Sequence, residues 1–358
     1  MTPNQPTSAQ CERLDDVKRR ELLRLMSVTG SLLAGPPAER QLDWERLIYA
    51  SEHPKRLDTS NSTLDEYAGL NTNLWRALSD SKNKSHVFPM VRQQIEVLHN
   101  ALEQTHSAAT HQRLCSLAGD LFQLAGEVFF DSSHYAEAAH CYTLAATASK
   151  EANSFDLWAC AVTRHAFIGV YERQFAKSPP LLDLALRLSN RGNSTLSTRH
   201  WVAAVQAQTF AGLGEFDACQ RALDAAQQVE QLPGRVHTSG WLRFDASRLP
   251  EERGACYVEL RRPDLAEPAL TKALSLDIST RRRGSVLTDM AMVGAQRREV
   301  DHLVLYEGAA LDVARQTGSG VVIRKLQTLQ GQLVPFREDS HVRHLNEQIT
   351  ALARVAPS

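Results

Sequence analysis

The sequence predicts an all-α fold, a solenoid of stacked helix pairs. Three observations carry that expectation. Apolar residues recur at helical spacing through most of the chain, aromatic residues make up only 6% of it, and small residues repeat at an interval of about 40 positions. A β-sandwich would need more strand-forming aromatics and more Gly and Pro at turns. With 43% hydrophobic and 23% charged residues over 358 positions, the composition excludes wholly disordered, collagen-like and polytopic membrane chains. Lys plus Arg total 40 against 41 Asp plus Glu, so there is no global basic field to hold the protein on phosphate backbones.

Residues 1–17 are rich in Pro, Thr, Ser and Gln and read as a flexible tail. Arg19-Arg20, the apolar stretch after them and Pro36-Pro37-Ala38 have the outline of a twin-arginine export signal. Glu21 and Arg24 surround that stretch with charge, however, and Leu22, Leu23, Leu25 and Met26 suit an amphipathic helix ending at Gly30 or Gly35. The expected localisation is cytoplasmic, with export as the minor alternative. Within an N-terminal helical segment at 18–108, periodicity predicts helices over 42–53, 62–79 and 85–104; in the last, Val87, Val91, Ile95, Leu98 and Leu102 share one face. Thr63 before Leu64, with Glu66 three residues on, reads as a capping box.

From 109 to 318 the pattern is a repeat. Tyr135, Phe175, Phe216, Pro263 and Val300 each follow a polar or basic turn, at intervals of 40, 41, 47 and 37 residues. Nine positions before them stand Gly126, Ala166, Ala207, Gly254 and Ala291. Ten positions after stand Ala145, Ala185, Ala226, Ala273 and Ala310, and three after stand Ala138, Ser178, Cys219, Ala266 and Leu303. Small side chains at fixed offsets let paired helices approach closely. The segment from Phe122 through Gly126 and Phe129 to Tyr135, Ala138, Tyr142 and Ala145 resembles the tetratricopeptide (TPR) consensus; Gly214-Glu215-Phe216 and Gly254-Ala255-Cys256-Tyr257 carry the signature again. The intervals exceed that consensus, and Pro179-Pro180 delays the second helix of its unit. The resemblance implies a right-handed TPR-like superhelix. Residues 319–358 supply a capping helix pair, at 321–333 and 340–353, and a tail, with Lys, Arg and His facing water.

The combination is similar to the C-terminal TPR region of bacterial, actinobacterial-type Xre-like helix-turn-helix regulators. The similarity spans roughly 18 to 352: the Arg19-Arg20 helix, the helix around Trp75, Trp241-Leu242-Arg243-Phe244-Asp245 leading to Gly254, the run from Pro263 to Leu270, and the stretch from Val321 to Leu345. Such regulators place a DNA-binding domain ahead of this region, and the 17 residues before Lys18 are too few for one. The resemblance therefore implies a regulatory binding role without direct nucleic-acid recognition by this polypeptide.

In a TPR array the first helix of each pair lines the concave face. The corresponding offsets select Gln123, Leu124, Glu127 and Phe130, then Arg164, Phe167 and Tyr171, then Trp201 and Gln208, then Glu252 and Glu259, and last Asp289 and Met292. This mix of acceptors, an Arg and aromatics suits an extended peptide or protein segment. Other chemistries have weaker support. His341 and His344 share a helical face but lack a third ligand, so no metal and no cofactor are expected. Arg261-Arg262, Arg281-Arg282-Arg283 and Arg297-Arg298 read as solvated turn charge. Cys11, Cys115, Cys141, Cys160, Cys219 and Cys256 are scattered, as reduced apolar fillers would be. There is no phosphate loop, nucleophile elbow or HExxH motif, and no catalytic residue is expected. The expected function is non-catalytic peptide sensing that acts on transcription or signalling indirectly, outside membranes, with homodimer formation left open. The alternative is a structural adaptor without ligand response.

Overall fold

The computed structural model describes residues 61–81, 84–104, 106–234, 236–238 and 240–355; the readings made above for residues 1–60, Cys11 and the paired arginines included, lie outside them. Fourteen α-helices build the described residues, and no strand occurs among these. They run as α1 (Asn61–Asp80) and α2 (Phe88–Glu103), α3 (Ala108–Asp131) and α4 (Tyr135–Glu151), α5 (Phe155–Tyr171) and α6 (Pro179–Ser189), α7 (Thr198–Gly212) and α8 (Phe216–Gln227). Then come α9 (Leu249–Glu259) and α10 (Pro263–Leu274), α11 (Thr280–Arg297) and α12 (Val300–Thr317), α13 (Gly320–Gln330) and α14 (Ser340–Val355). The architecture is a TPR-like α-solenoid. None of the described helices is long and apolar enough to cross a membrane.

The repeat register read from the sequence coincides with the helix pairs. Tyr135, Phe216, Pro263 and Val300 open the second helices, whereas Phe175 opens a 3₁₀ turn and α6 waits until Pro179, whose ring suits a first helical position. All five residues at each small-residue offset are buried. The reason is visible at Gly126 and Gly254, where a Cβ would enter the Tyr142 ring and the Leu270 side chain. The capping-box reading fails: Asn61 and Ser62 are already helical, so Thr63 lies within α1 rather than ahead of it.

Each turn within a pair follows one backbone plan. Two positions before the anchors, Ser133, Arg173, Gly214, Arg261 and Arg298 all have positive φ. The next amide donates back to the carbonyl five residues earlier: His134 to Phe129, Gln174 to Gly169, Glu215 to Phe210, Arg262 to Tyr257 and Glu299 to Gly294. That is a Schellman closure, which satisfies carbonyls left over at a helix end and reverses the chain tightly. Only Gly214 is the residue type the conformation prefers.

One position breaks the packing rule. Seven residues after the anchors stand Tyr142, Leu182, Leu223 and Leu270, all buried, and then Glu307, which is 0% exposed with neither carboxylate oxygen hydrogen-bonded. Burial raises the Glu307 carboxyl to about 7.

The solenoid curls until its far ends meet. At the C-terminal end of α3, Asp131 pairs with Arg281 of α11 and accepts from the Ser319 hydroxyl at the start of α13 at 3.4 Å, while Arg281 Nε donates to the same hydroxyl at 3.0 Å. Gly320 rests on the Asp131 carbonyl so closely that a Cβ would overlap it, and Val321 packs against the aromatic cluster around Phe130.

Two sets of variants test this account. Gly126→Ala should lower stability by about 1–3 kcal/mol, through overpacking against Tyr142. Arg298→Gly should raise it by about 1 kcal/mol, by removing a left-handed side-chain residue. Shifts of the urea midpoint measure both. Glu307 is raised in the folded chain and near 4.3 unfolded, so its protonated form adds stability in full below that lower value and loses it as pH rises through about 7. Thermal melts at several pH values should therefore show Glu307→Leu gaining more over wild type at pH 8 than at pH 5.

Candidate functional site

The concave side encloses a cavity of about 1050 Å³ reached by α1 and by every first helix from α3 to α13. Glu127, Phe130, Arg164, Phe167, Tyr171 and Trp201 line its first half; Gln208, Glu252, Glu259, Asp289 and Met292 line its second. Gln123 and Leu124 do not reach it, because both are 0% exposed in the interior of α3. Gln123 instead donates to the Leu157 carbonyl at 3.1 Å and accepts from Arg164.

Arg164 organises the first half. Its Nε donates to Glu127 at 3.1 Å and its two terminal nitrogens to Gln123 at 2.7 Å and to the Trp241 carbonyl at 2.9 Å. The guanidinium also lies 4.7 Å from the Trp201 ring centre and 5.6 Å from that of Trp75. Burial alone would raise the Glu127 carboxyl, but Arg164, Lys84 and a hydrogen bond from Tyr142 hold it below the usual range. Beside this group Phe130, Phe167 and Tyr171 form an aromatic wall, with Phe130 edge-on to Tyr171 at 4.9 Å.

The second half mixes buried carboxylates with Arg and Lys. Burial, then Glu251, raise the Glu252 carboxyl to about 7, and it accepts a hydrogen bond from Gln208. Asp289 is likewise raised by burial even with Lys325 Nζ at 2.5 Å. Arg173 of the turn after α5 grips both oxygens of Glu259 at 2.9 and 2.5 Å, joining two units across the mouth.

Two expectations about charge are corrected here. Arg281 and Arg282 are not solvated turn residues: both line the cavity, Arg281 on Asp131 and Arg282 on Glu251 at 2.8 Å, because α11 starts where the solenoid turns back on itself. Lys325, expected to face water from the capping pair, points inward to Asp289. Other contributors were not among the groove residues that the offsets selected. Lys84, Arg243 and Arg248 sit on a turn, a long inter-unit loop and a helix approach, none of which has a place in the repeat register.

Cys256 borders the cavity, but a hydrogen bond with Cys219 and burial keep its thiol well above the ordinary value; burial pushes Cys160 up to about 12. The five described cysteines are buried and free. Among the described residues no three metal-ligating side chains converge.

No family model matches this chain, and no curated protein does. Six chains of solved structures do. One is a Rap protein whose crystal structure is of its complex with Competence and Sporulation Factor; it is 10% identical, with a TM-score of 0.55 over 96% of this chain and 98% of that one. The likeness is one of fold.

Arg164→Met, which strands Glu127 and Gln123, should cost about 3–5 kcal/mol. Adding Glu127→Gln removes the stranded charge and should recover part of that loss. A double-mutant cycle from urea unfolding checks the coupling.

Proposed function

We propose that this chain is a non-catalytic regulatory protein that binds an extended peptide or protein segment in its concave cavity and acts on transcription or signalling through a partner. The observation that carries this reading is the cavity itself. At about 1050 Å³ it slightly exceeds the roughly 300–1,000 Å³ of small-molecule pockets, which favours a peptide over a single metabolite. Its walls alternate an aromatic face with amide, carboxylate and guanidinium groups, the two kinds of contact that a peptide's side chains and backbone require. The Rap protein of the same fold is complexed with a separate factor, and the resemblance to the TPR region of Xre-type regulators points the same way. A non-catalytic role agrees with thiols held protonated and with Glu127, Glu251, Glu259 and Asp289 each committed to an ion pair. Buried free cysteines suit a reducing, cytoplasmic setting.

Ala255 lines the cavity on α9, so Ala255→Trp fills the space without removing a contact. Native mass spectrometry of the chain purified gently from its own host should show a bound peptide or protein, absent from the Ala255→Trp variant at unchanged helix content. A bare wild-type chain, or equal occupancy of both, would count against the cavity as the binding site.

A further inference from the structure

The cavity is far more basic than the chain. Ten Lys and Arg side chains line it against six Asp and Glu, whereas the whole sequence is nearly balanced at 40 to 41. Most of these cations are already committed: Arg164 to Glu127, Arg173 to Glu259, Arg248 and Arg282 to Glu251, Arg281 to Asp131, and Lys325 to Asp289. Arg261 and Arg324 are exposed at the rim.

Lys84 and Arg243 differ from all of these. Lys84, in the 3₁₀ turn before α2, makes no hydrogen bond or ion pair with any described residue. Arg243, on the loop between α8 and α9, donates only to the Ser79 hydroxyl and lies 5.8 Å from the Trp75 ring centre, leaving most of its donors unused. Both line the cavity, Lys84 within electrostatic reach of Arg243 and each within reach of Arg281. Burial, then Arg281 and Arg243, lower the Lys84 ammonium to about 8 against the pull of Asp131 and Glu127. Burial, with Arg248, Arg164 and Arg281, likewise works against the Arg243 charge, opposed by Glu127. Uncompensated cations in a recess are costly unless an anion joins them. The nearby carboxylates, Glu127 and Asp131, are already engaged by Arg164 and Arg281.

We infer that Lys84 and Arg243, with Arg281 behind them, form an anion subsite that takes a carboxylate of the bound peptide. The inference rests on the peptide-binding reading above and gives its ligand a chemistry. A peptide supplies this group in two ways, as its C-terminal α-carboxylate or as an Asp or Glu side chain. Either would accept from the ammonium and the guanidinium together, and the charge-assisted bonds would offset the mutual repulsion of the clustered cations.

The test uses the full chain and three synthetic random octapeptide pools: free C-terminal acid; C-terminal amide; and C-terminal amide made without Asp or Glu. Peptides retained by the chain are counted by affinity-selection mass spectrometry. Wild type should retain the third pool about tenfold less than the first, or lower still. Lys84→Met and Arg243→Met should each abolish that difference. A second pool retained as poorly as the third identifies the α-carboxylate; one retained like the first identifies a side chain. Equal retention of all three pools by wild type overturns the subsite and leaves the peptide-binding reading standing. Retention of none overturns both. A ligand-free measurement gives an independent check. Removing an ammonium held beside two guanidiniums should raise the melting temperature of Lys84→Met above wild type. A fall would mean that Lys84 has a structural partner, and the inference would be wrong.

Discussion

The concave surface depends on how the Arg164 guanidinium is satisfied. At 5% exposure it needs partners for its donors, and they come from two directions: Glu127 and Gln123 on α3, and the Trp241 carbonyl on a loop 77 residues away. Two indole rings lie against what remains. Nearest-neighbour packing between helix pairs would by itself give a solenoid of some curvature. Fixing an inter-unit loop across the inner face adds a constraint that skips over units. Through Arg243 and Ser79 the same loop is tied to α1, 164 residues away. The cavity thus takes Arg243 of its lining from a segment that belongs to no repeat.

Most of the fold was legible in the sequence, because close helix approach leaves a covalent trace. Where Tyr142 or Leu270 crosses the neighbouring helix, only Gly fits, and where second helices touch the next pair, Ala recurs. The left-handed turns were not legible. Ser133, Arg173, Arg261 and Arg298 adopt them without being Gly or Asn, since the hydrogen bonds of the turn and the packing of both flanking helices impose the conformation. Glu307 was invisible for a related reason: periodicity marks the position, but nothing in a list of offsets says that a carboxylate lies where leucine does in three other units.

The candidate site divides the same way. Offsets on the first helices selected Phe130, Phe167, Tyr171 and Met292, which do face the cavity, since a helix presents one side to its neighbour and the opposite side inward. They also selected Gln123 and Leu124, and α3 is long enough that its middle is enclosed by α1, α4 and α5. Lys84, Arg243 and Arg248 went unrecognised as cavity residues because they come from interruptions of the repeat. A composition near neutrality concealed them further: an even count over the chain says nothing about how its charges are sorted between the inner and outer faces.

The seam at Gly320 sets this chain apart from an open array. An open array can gain or lose a unit, because each pair answers only to its neighbours. Here Asp131 must meet Arg281 and Ser319 after a set number of intervening pairs. One extra pair would carry α13 past α3 by a full unit's rotation. The closure therefore acts as a ruler: it fixes how many helix pairs can stand between α3 and α13, and with that number the width of the cavity.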